Sequence, residues 1–198
     1  SESTDNSDDE FNPTLAAMES EIKPKVLETV NNLSKNYIKL IKYQKDKLHC
    51  VLNSISFSVS KEKNYKKIVD SILDDIKSLQ LSPSVLEELV QKHYVENKKI
   101  LSFEGTLLRL ALNNKISRDE FIKFYVGNEI NPNLKAFLGT NELWKKFLQK
   151  NKDEFKNIRE RLVEISKKLG ISVTDYKKLV SRIQKGEKES RLAKKEMV

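Results

Sequence analysis

The chain has 198 residues, of which 38% are hydrophobic and 33% are charged, and its formal net charge is +8 at pH 7. Five glycines and four prolines leave little material for hairpins and tight turns, so the composition favours helices over a β-rich fold. A single cysteine, Cys50, excludes an intramolecular disulfide, and the lack of a long apolar run predicts a protein that does not span a membrane.

The predicted elements begin after an acidic segment. Residues 1–10, SESTDNSDDE, carry five carboxylates and no basic group, so we expect a disordered acidic tail over residues 1–11. Apolar residues at helical spacing then predict a first helix that reaches about Leu52, with a break, a kink or a restart at Pro24. The alternating residues 53–60 are interpreted as a loop, because a lone strand would have no partner.

The middle of the chain shows recognisable helix starts. Residues 65–79 repeat apolar side chains at helical spacing and predict a second helix. Ser82 followed by a proline predicts the start of a long third helix. Ser117 and Glu120 have the spacing of a capping box, which predicts a short helix directly after them.

The last third of the chain is predicted to contain the strongest amphipathic helix, over residues 141–169, ended by Gly170. A further helix starts at Ser172 and is predicted to end at Gly186. Residues 187–198 are then predicted to begin another helix, which would be too short to be stable alone and would fray.

Together these elements predict an all-α fold, an irregular bundle of about seven helices over residues 12–186, with the disordered acidic tail in front. The aromatic stripe formed by Trp144, Phe147 and Phe155 is expected in its core.

The sequence carries no catalytic constellation, so we expect a protein that is not an enzyme and uses neither a cofactor nor a metal. His49 and Cys50 are adjacent on a predicted helix, where their side chains point about 100° apart and cannot share a ligand or a proton. The carboxylate pairs Asp74–Asp75 and Glu87–Glu88 have lysines nearby and are interpreted as solvated surface rather than acid–base pairs.

The positive charge suggests an anionic partner, and residues 176–198 form the most basic stretch, with eight basic and three acidic side chains. This stretch predicts a surface that contacts nucleic-acid phosphates; a solvated helix with pairs such as Glu187–Arg191 is the alternative. Specific base readout is not predicted, because lysine dominates over arginine. The candidate phosphate-binding residues are Lys185, Lys188, Arg191, Lys194 and Lys195.

Three tyrosines are candidates for a platform on which single-stranded nucleic acid could stack, because such platforms need exposed aromatic rings between basic residues. These are Tyr43, Tyr65 and Tyr125, and nothing in the sequence pattern selects among them.

Two segments carry a family resemblance. The tail GEKESRLAKKEMV, residues 186–198, resembles the run that leads into the second conserved region of primary sigma-70 factors of bacterial RNA polymerase. FIKFYVGNE, residues 121–129, resembles the F-I-x-x-F-x-G-N-E pattern of the same family. Trp144 resembles the tryptophan that opens the long helix after that pattern, and residues 170–172 resemble the family's G-L-T turn.

The resemblance implies that the chain is the non-conserved insert between the first and second conserved regions, with residues 187–198 starting the first helix of the second. In that family the insert is helical and packs against the promoter-melting region. It touches the β′ subunit of core RNA polymerase and upstream promoter DNA, and it influences promoter escape. The implied location is the cytoplasm, at the nucleoid through RNA polymerase. The isolated chain is expected to be a monomer without a membrane partner.

Two other classes of function stay open on the residues alone. A stand-alone helical protein-interaction module with incidental basic charge should end in a capped helix, whereas this chain is expected to stop within one. A helical nucleic-acid-processing enzyme is disfavoured by the missing histidine or carboxylate cluster.

Overall fold

A computed structural model describes residues 14–197 and shows eight α-helices in that part of the chain. No strand occurs among the described residues, so the predicted all-α class is confirmed. The acidic tail predicted over residues 1–11 lies outside the described residues. The helices are α1 Leu15–Leu52, α2 Val59–Ser78, α3 Pro83–Asn113, α4 Arg118–Tyr125, α5 Leu134–Leu138, α6 Glu142–Lys150, α7 Lys152–Leu169 and α8 Val173–Glu196.

The first two helices form a hairpin. α1 continues through Pro24 as a helix of 38 residues, and the six residues before α2 are the predicted loop. Ion pairs between Lys61 and Asp46, at 2.8 Å, and between Lys47 and Glu62, at 3.2 Å, link α2 to the second half of α1. The hairpin meets the core through the buried side chain of Leu48.

The amphipathic helix predicted over residues 141–169 is two helices in the structure. This division is one reason why the described residues form eight helices, whereas about seven were predicted. Asn151 separates α6 from α7 with φ −116° and ψ 31°. Its side-chain amide donates to the carbonyl of Phe147 at 3.1 Å, which also accepts from the Asn151 backbone amide at 2.9 Å, so this residue closes the last turn of α6. An apolar pattern that continues in phase across this residue could not reveal the break.

The helix end predicted at Gly186 is wrong, because α8 is continuous from Val173 to Glu196. The end predicted at Gly170 is confirmed, since Gly170 has φ 74° and caps α7. The residues after each glycine explain the difference. Ser172 starts a new helix by accepting a hydrogen bond from the Asp175 amide at 3.1 Å, whereas the glutamates and lysines after Gly186 favour helix.

Replacing Gly186 with alanine should therefore stabilise the end of α8. A Cβ at this position would meet no atom within 4 Å, and alanine favours helix over glycine by roughly 0.5–1 kcal/mol. Amide hydrogen exchange of residues 187–196 should become about twofold to fivefold slower. The opposite sign is expected for Gly170→Ala, because a left-handed conformation costs a residue with a Cβ about 1 kcal/mol. Unchanged or faster exchange in Gly186→Ala would contradict a continuous α8.

The core lies in the second half of the chain, between α3 and the first half of α8. The predicted aromatic stripe is confirmed there, since Trp144, Phe147 and Phe155 are at most 1% exposed. No helix within residues 14–197 has the length and apolar character needed to cross a membrane. Other buried core residues are Ile100, Leu107, Ala111, Ile116, Phe121, Tyr125, Ile130, Leu134, Leu138, Ile158, Leu162, Val173, Tyr176 and Val180.

Candidate nucleic-acid interface

A partly buried ionic cluster holds the start of α8. Lys177 Nζ lies 2.8 and 2.9 Å from the two carboxylate oxygens of Glu104 on α3 and 3.4 Å from Glu129 Oε1. The Thr174 hydroxyl donates to Glu129 Oε2 at 2.8 Å, and Glu129 is only 1% exposed. The motif over residues 121–129 thus ends in a carboxylate that fixes α8 to the body of the protein.

The pKa values in this cluster result from burial and pairing. Burial raises the pKa of Glu104, and the hydrogen bond from Lys177 offsets only part of that rise. Burial alone would lower the pKa of Lys177, but the hydrogen bond and charge of Glu104, with the charge of Glu129, hold this pKa above its usual value. Lys177 is therefore charged at neutral pH and already engaged by two carboxylates, so it is not available to a phosphate.

The loop after the motif is fixed by amide side chains. Gly127 adopts φ 88°, and the Asn131 side-chain amide then donates to Asn128 Oδ1 at 3.1 Å. The Arg159 guanidinium on α7 donates to the Asn131 carbonyl, and the Ser54 hydroxyl donates to Asn131 Oδ1 at 3.2 Å. One asparagine therefore ties this loop to α7 and to the loop between α1 and α2.

The five candidate phosphate-binding residues all lie in the second half of α8, and all five are exposed. Lys188, Arg191 and Lys195 are three and four residues apart and share one side of the helix, while Lys185 and Lys194 flank that side. Lys185 lies 3.8 Å from a glutamate one turn further on. These positions suit contact with an anion, and their role in binding stays a prediction.

The alternative pairing of Glu187 with Arg191 does not hold in the described residues. Glu187 instead accepts a hydrogen bond from the Tyr94 hydroxyl of α3. No described carboxylate lies within 4.0 Å of the Arg191 guanidinium. The contact with Tyr94 anchors the middle of α8, and Arg191 still faces solvent one turn beyond it.

Burial excludes one of the three candidate tyrosines from a stacking platform. Tyr125 is 2% exposed and belongs to the core, which contradicts its candidacy. Tyr43 and Tyr65 are half-buried, and the Lys47 ammonium lies 5.2 Å from the ring centre of Tyr65. Within residues 14–197 no group of three or more His, Cys, Asp or Glu side chains is placed to hold a metal ion.

One basic surface was missed by the sequence reasoning. Four exposed lysines of α1 succeed one another at spacings of four, three and three residues and so occupy one side of the helix. We call Lys35, Lys39, Lys42 and Lys45 the α1 lysine face. The signal was present in the sequence, since residues 29–45 contain four lysines and no carboxylate. A ranking by total net charge favours residues 176–198 instead, because that stretch is longer and contains eight basic side chains.

Most of the chain matches a known protein family. Residues 1–166 match the family described as Sigma-70, non-essential region. The match includes the motif over residues 121–129 and Trp144. It ends before residues 170–198, on which the rest of the resemblance depends.

Proposed function

Because the chain belongs to the sigma-70 family, as its non-essential region, it is part of a sigma factor, and we propose that it serves as a docking and supporting insert during transcription initiation. In this proposal it contacts the β′ subunit of core RNA polymerase, supports the neighbouring promoter-melting region, offers lysines to upstream promoter DNA and influences promoter escape. It acts in the bacterial cytoplasm without catalytic chemistry. In this proposal the acidic tail and the region over residues 12–186 form the insert, and residues 187–198 lead into the second conserved region, with α8 continuing through Gly186 to Glu196 rather than a new helix beginning there.

The continuity of α8 is the observation that carries the proposal. The first half of this helix is fixed in the core through Val173, Tyr176 and Val180, and through the ionic cluster at Lys177. Its second half extends through Gly186 into solvent as the same helix. A helix anchored at one end and exposed at the other can hold a neighbouring segment at a fixed angle to the body, which is what a supporting insert requires.

The stand-alone interaction module considered from the sequence is less well supported, because the family match places the chain within a sigma factor. Membership of this family also implies association with core RNA polymerase.

Charge reversal on α8 tests the DNA part of the proposal in the full-length factor. Lys188→Glu, Arg191→Glu and Lys195→Glu together should weaken promoter binding by the holoenzyme at low salt. They should also reduce the slope of log affinity against log salt by about 0.9 for each phosphate contact that is lost. The matched control reverses Lys145, Lys146 and Lys150, three exposed lysines of α6. Equal affinity and equal slope in the α8 variant and the control would overturn the contact.

A further inference from the structure

We propose that the α1 lysine face binds the sugar-phosphate backbone of duplex nucleic acid, as a contact surface separate from the second half of α8. The inference goes beyond the proposed function, since it concerns a different helix and requires neither the polymerase nor the rest of the factor. It depends on the placement of Lys35, Lys39, Lys42 and Lys45, and on what surrounds them.

The lysine face concentrates like charges that no described carboxylate contacts, although the charge of Asp46 acts on Lys42 from beyond 4.0 Å. Each neighbouring pair along the face is three or four residues apart, a spacing at which like charges on a helix repel. None of the four ammonium groups has a carboxylate within 4.0 Å among the described residues. The nearest acidic residue along α1, Asp46, is paired with Lys61 at 2.8 Å. An anionic partner would relieve this repulsion.

A second helix adds to the surface. Lys45 and the exposed Lys167, near the end of α7, line the same groove of about 410 Å³ between α1 and the end of α7. His49, one turn after Lys45, is exposed on the rim of that groove. Lys168 also lines it but is paired with Glu96 at 2.8 Å. Among the described residues, the fold therefore brings a fifth unpaired lysine, Lys167, to the groove that Lys45 lines at the end of the α1 lysine face, which residue spacing alone could not indicate.

Other groups of lysines do not form as long a row on one side of a single helix. Lys145, Lys146, Lys150 and Lys152 have no carboxylate between them, but they are divided between α6 and α7 and lie between Glu142 and the pair Asp153–Glu154. In the second half of α8, Glu189 lies 3.8 Å from Lys185, and two further glutamates share the helix. The α1 lysine face is the longer surface without interleaved acids, because its first and last Cα atoms are about 15 Å apart.

A nucleic-acid backbone fits this face better than an acidic protein surface does. Lysine is a point charge that contacts phosphates without demanding one geometry, and a straight row of such charges can track a row of phosphates. The residues between or beside the lysines include Asn31 and Ser34, which can donate hydrogen bonds to phosphate oxygens. Ile38 is 68% exposed there, and Tyr37, 58% exposed, lies on this part of α1 as well, but no tryptophan or arginine does.

Binding of the 198-residue chain to a duplex of about 20 base pairs and arbitrary sequence tests the proposal, with affinity measured by fluorescence anisotropy between about 50 and 200 mM salt. Replacing all four lysines of the face with glutamine should weaken binding at least about tenfold at the lowest salt. It should also lower the salt slope by about 2 to 4, since each lost phosphate contact contributes about 0.9. The matched control replaces Lys145, Lys146, Lys150 and Lys152 with glutamine, which removes the same charge from exposed positions elsewhere.

Each outcome decides the question. A loss confined to the α1 variant supports the proposal, and so does protection of these four lysines from chemical acetylation when duplex is present. Equal losses in the two variants would reduce the effect to net charge and overturn it. The proposal would also be overturned if the unchanged chain did not bind the duplex. It would be overturned as well if the α1 variant kept its duplex binding and lost only its binding to core polymerase. Failure of the α8 test in the full-length factor would leave this result unaffected.

Discussion

Replacing Trp144 with alanine is expected to lower the free energy of unfolding by about 3–5 kcal/mol, a large share of the roughly 5–15 kcal/mol that stabilises a typical domain. Trp144 is 0% exposed and stands at the centre of an aromatic cluster that joins α4 to α6. Its ring centre lies 6.0 Å from that of Phe121, 6.5 Å from that of Phe124 and 5.5 Å from that of Phe147. Urea denaturation monitored by circular dichroism measures the change.

Two matched variants show whether burial of the ring is the cause. Trp144→Phe keeps an aromatic ring and removes the indole Nε1, which is buried without a hydrogen-bond partner among the described residues, so the loss should be only about 1–2 kcal/mol. Leu143→Ala changes the neighbouring side chain, which is 37% exposed, and should cost less than about 1 kcal/mol. If Leu143→Ala cost as much as Trp144→Ala, the aromatic cluster would not be the centre of the core.

Replacing Lys177 with methionine should cost about 3–5 kcal/mol, because it leaves the carboxylates of Glu104 and Glu129 inside the protein without their common cation. Methionine keeps much of the length and the apolar part of the side chain, so packing changes little. The adjacent Lys178→Met is the control. Lys178 is 73% exposed, and its ammonium lies 4.0 Å from Asp175, which is a long distance for an ion pair. Its replacement should therefore change the free energy of unfolding by less than about 0.5 kcal/mol.

The free energy of unfolding that Lys177→Met loses should depend on pH, because the carboxylates left behind can take up protons. Burial already raises the pKa of Glu104, and removal of the Lys177 charge should raise that pKa further. The folded Lys177→Met variant therefore binds protons more readily than the unfolded chain does. As the pH falls towards about 4, the difference in free energy of unfolding between the variant and the wild type should shrink. In the wild type the pKa of Lys177 is raised, so the stability from its pairing is present at neutral pH and is lost only in strong alkali. If the difference in free energy of unfolding stayed constant from about pH 7 to about pH 4, the pairing of Lys177 with Glu104 and Glu129 would be contradicted.

Local sequence signals predicted those features of the fold that local chemistry decides. The capping box at Ser117 and Glu120 is present, with the Ser117 hydroxyl accepting from the Glu120 amide at 3.2 Å. The burial of Trp144 was predictable from helical spacing alone. The helix end predicted at Gly186 is wrong because a glycine ends a helix only where the residues after it favour another structure, as they do after Gly170.

The properties of the candidate interface depended on contacts between distant residues, which spacing does not show. Lys177 was counted with the basic stretch, but its partners Glu104 and Glu129 are 73 and 48 residues away in sequence. Lys167 joins the α1 lysine face only because the end of α7 lies beside α1. The lysines of α1 themselves could have been found from the sequence, by searching for basic stretches without carboxylates instead of for the highest net charge.

Binding of the 198-residue chain to purified core RNA polymerase, at about 0.15 M salt where loose charge attraction is screened, tests the central claim most directly. Isolated β′ subunit would serve as a second partner, and an unrelated helical protein of equal charge would serve as the control. The proposed docking role predicts saturable binding to core polymerase and to β′, with competition by the full-length sigma factor. Absence of saturable binding, or binding matched by the control protein, would contradict a docking surface within this chain.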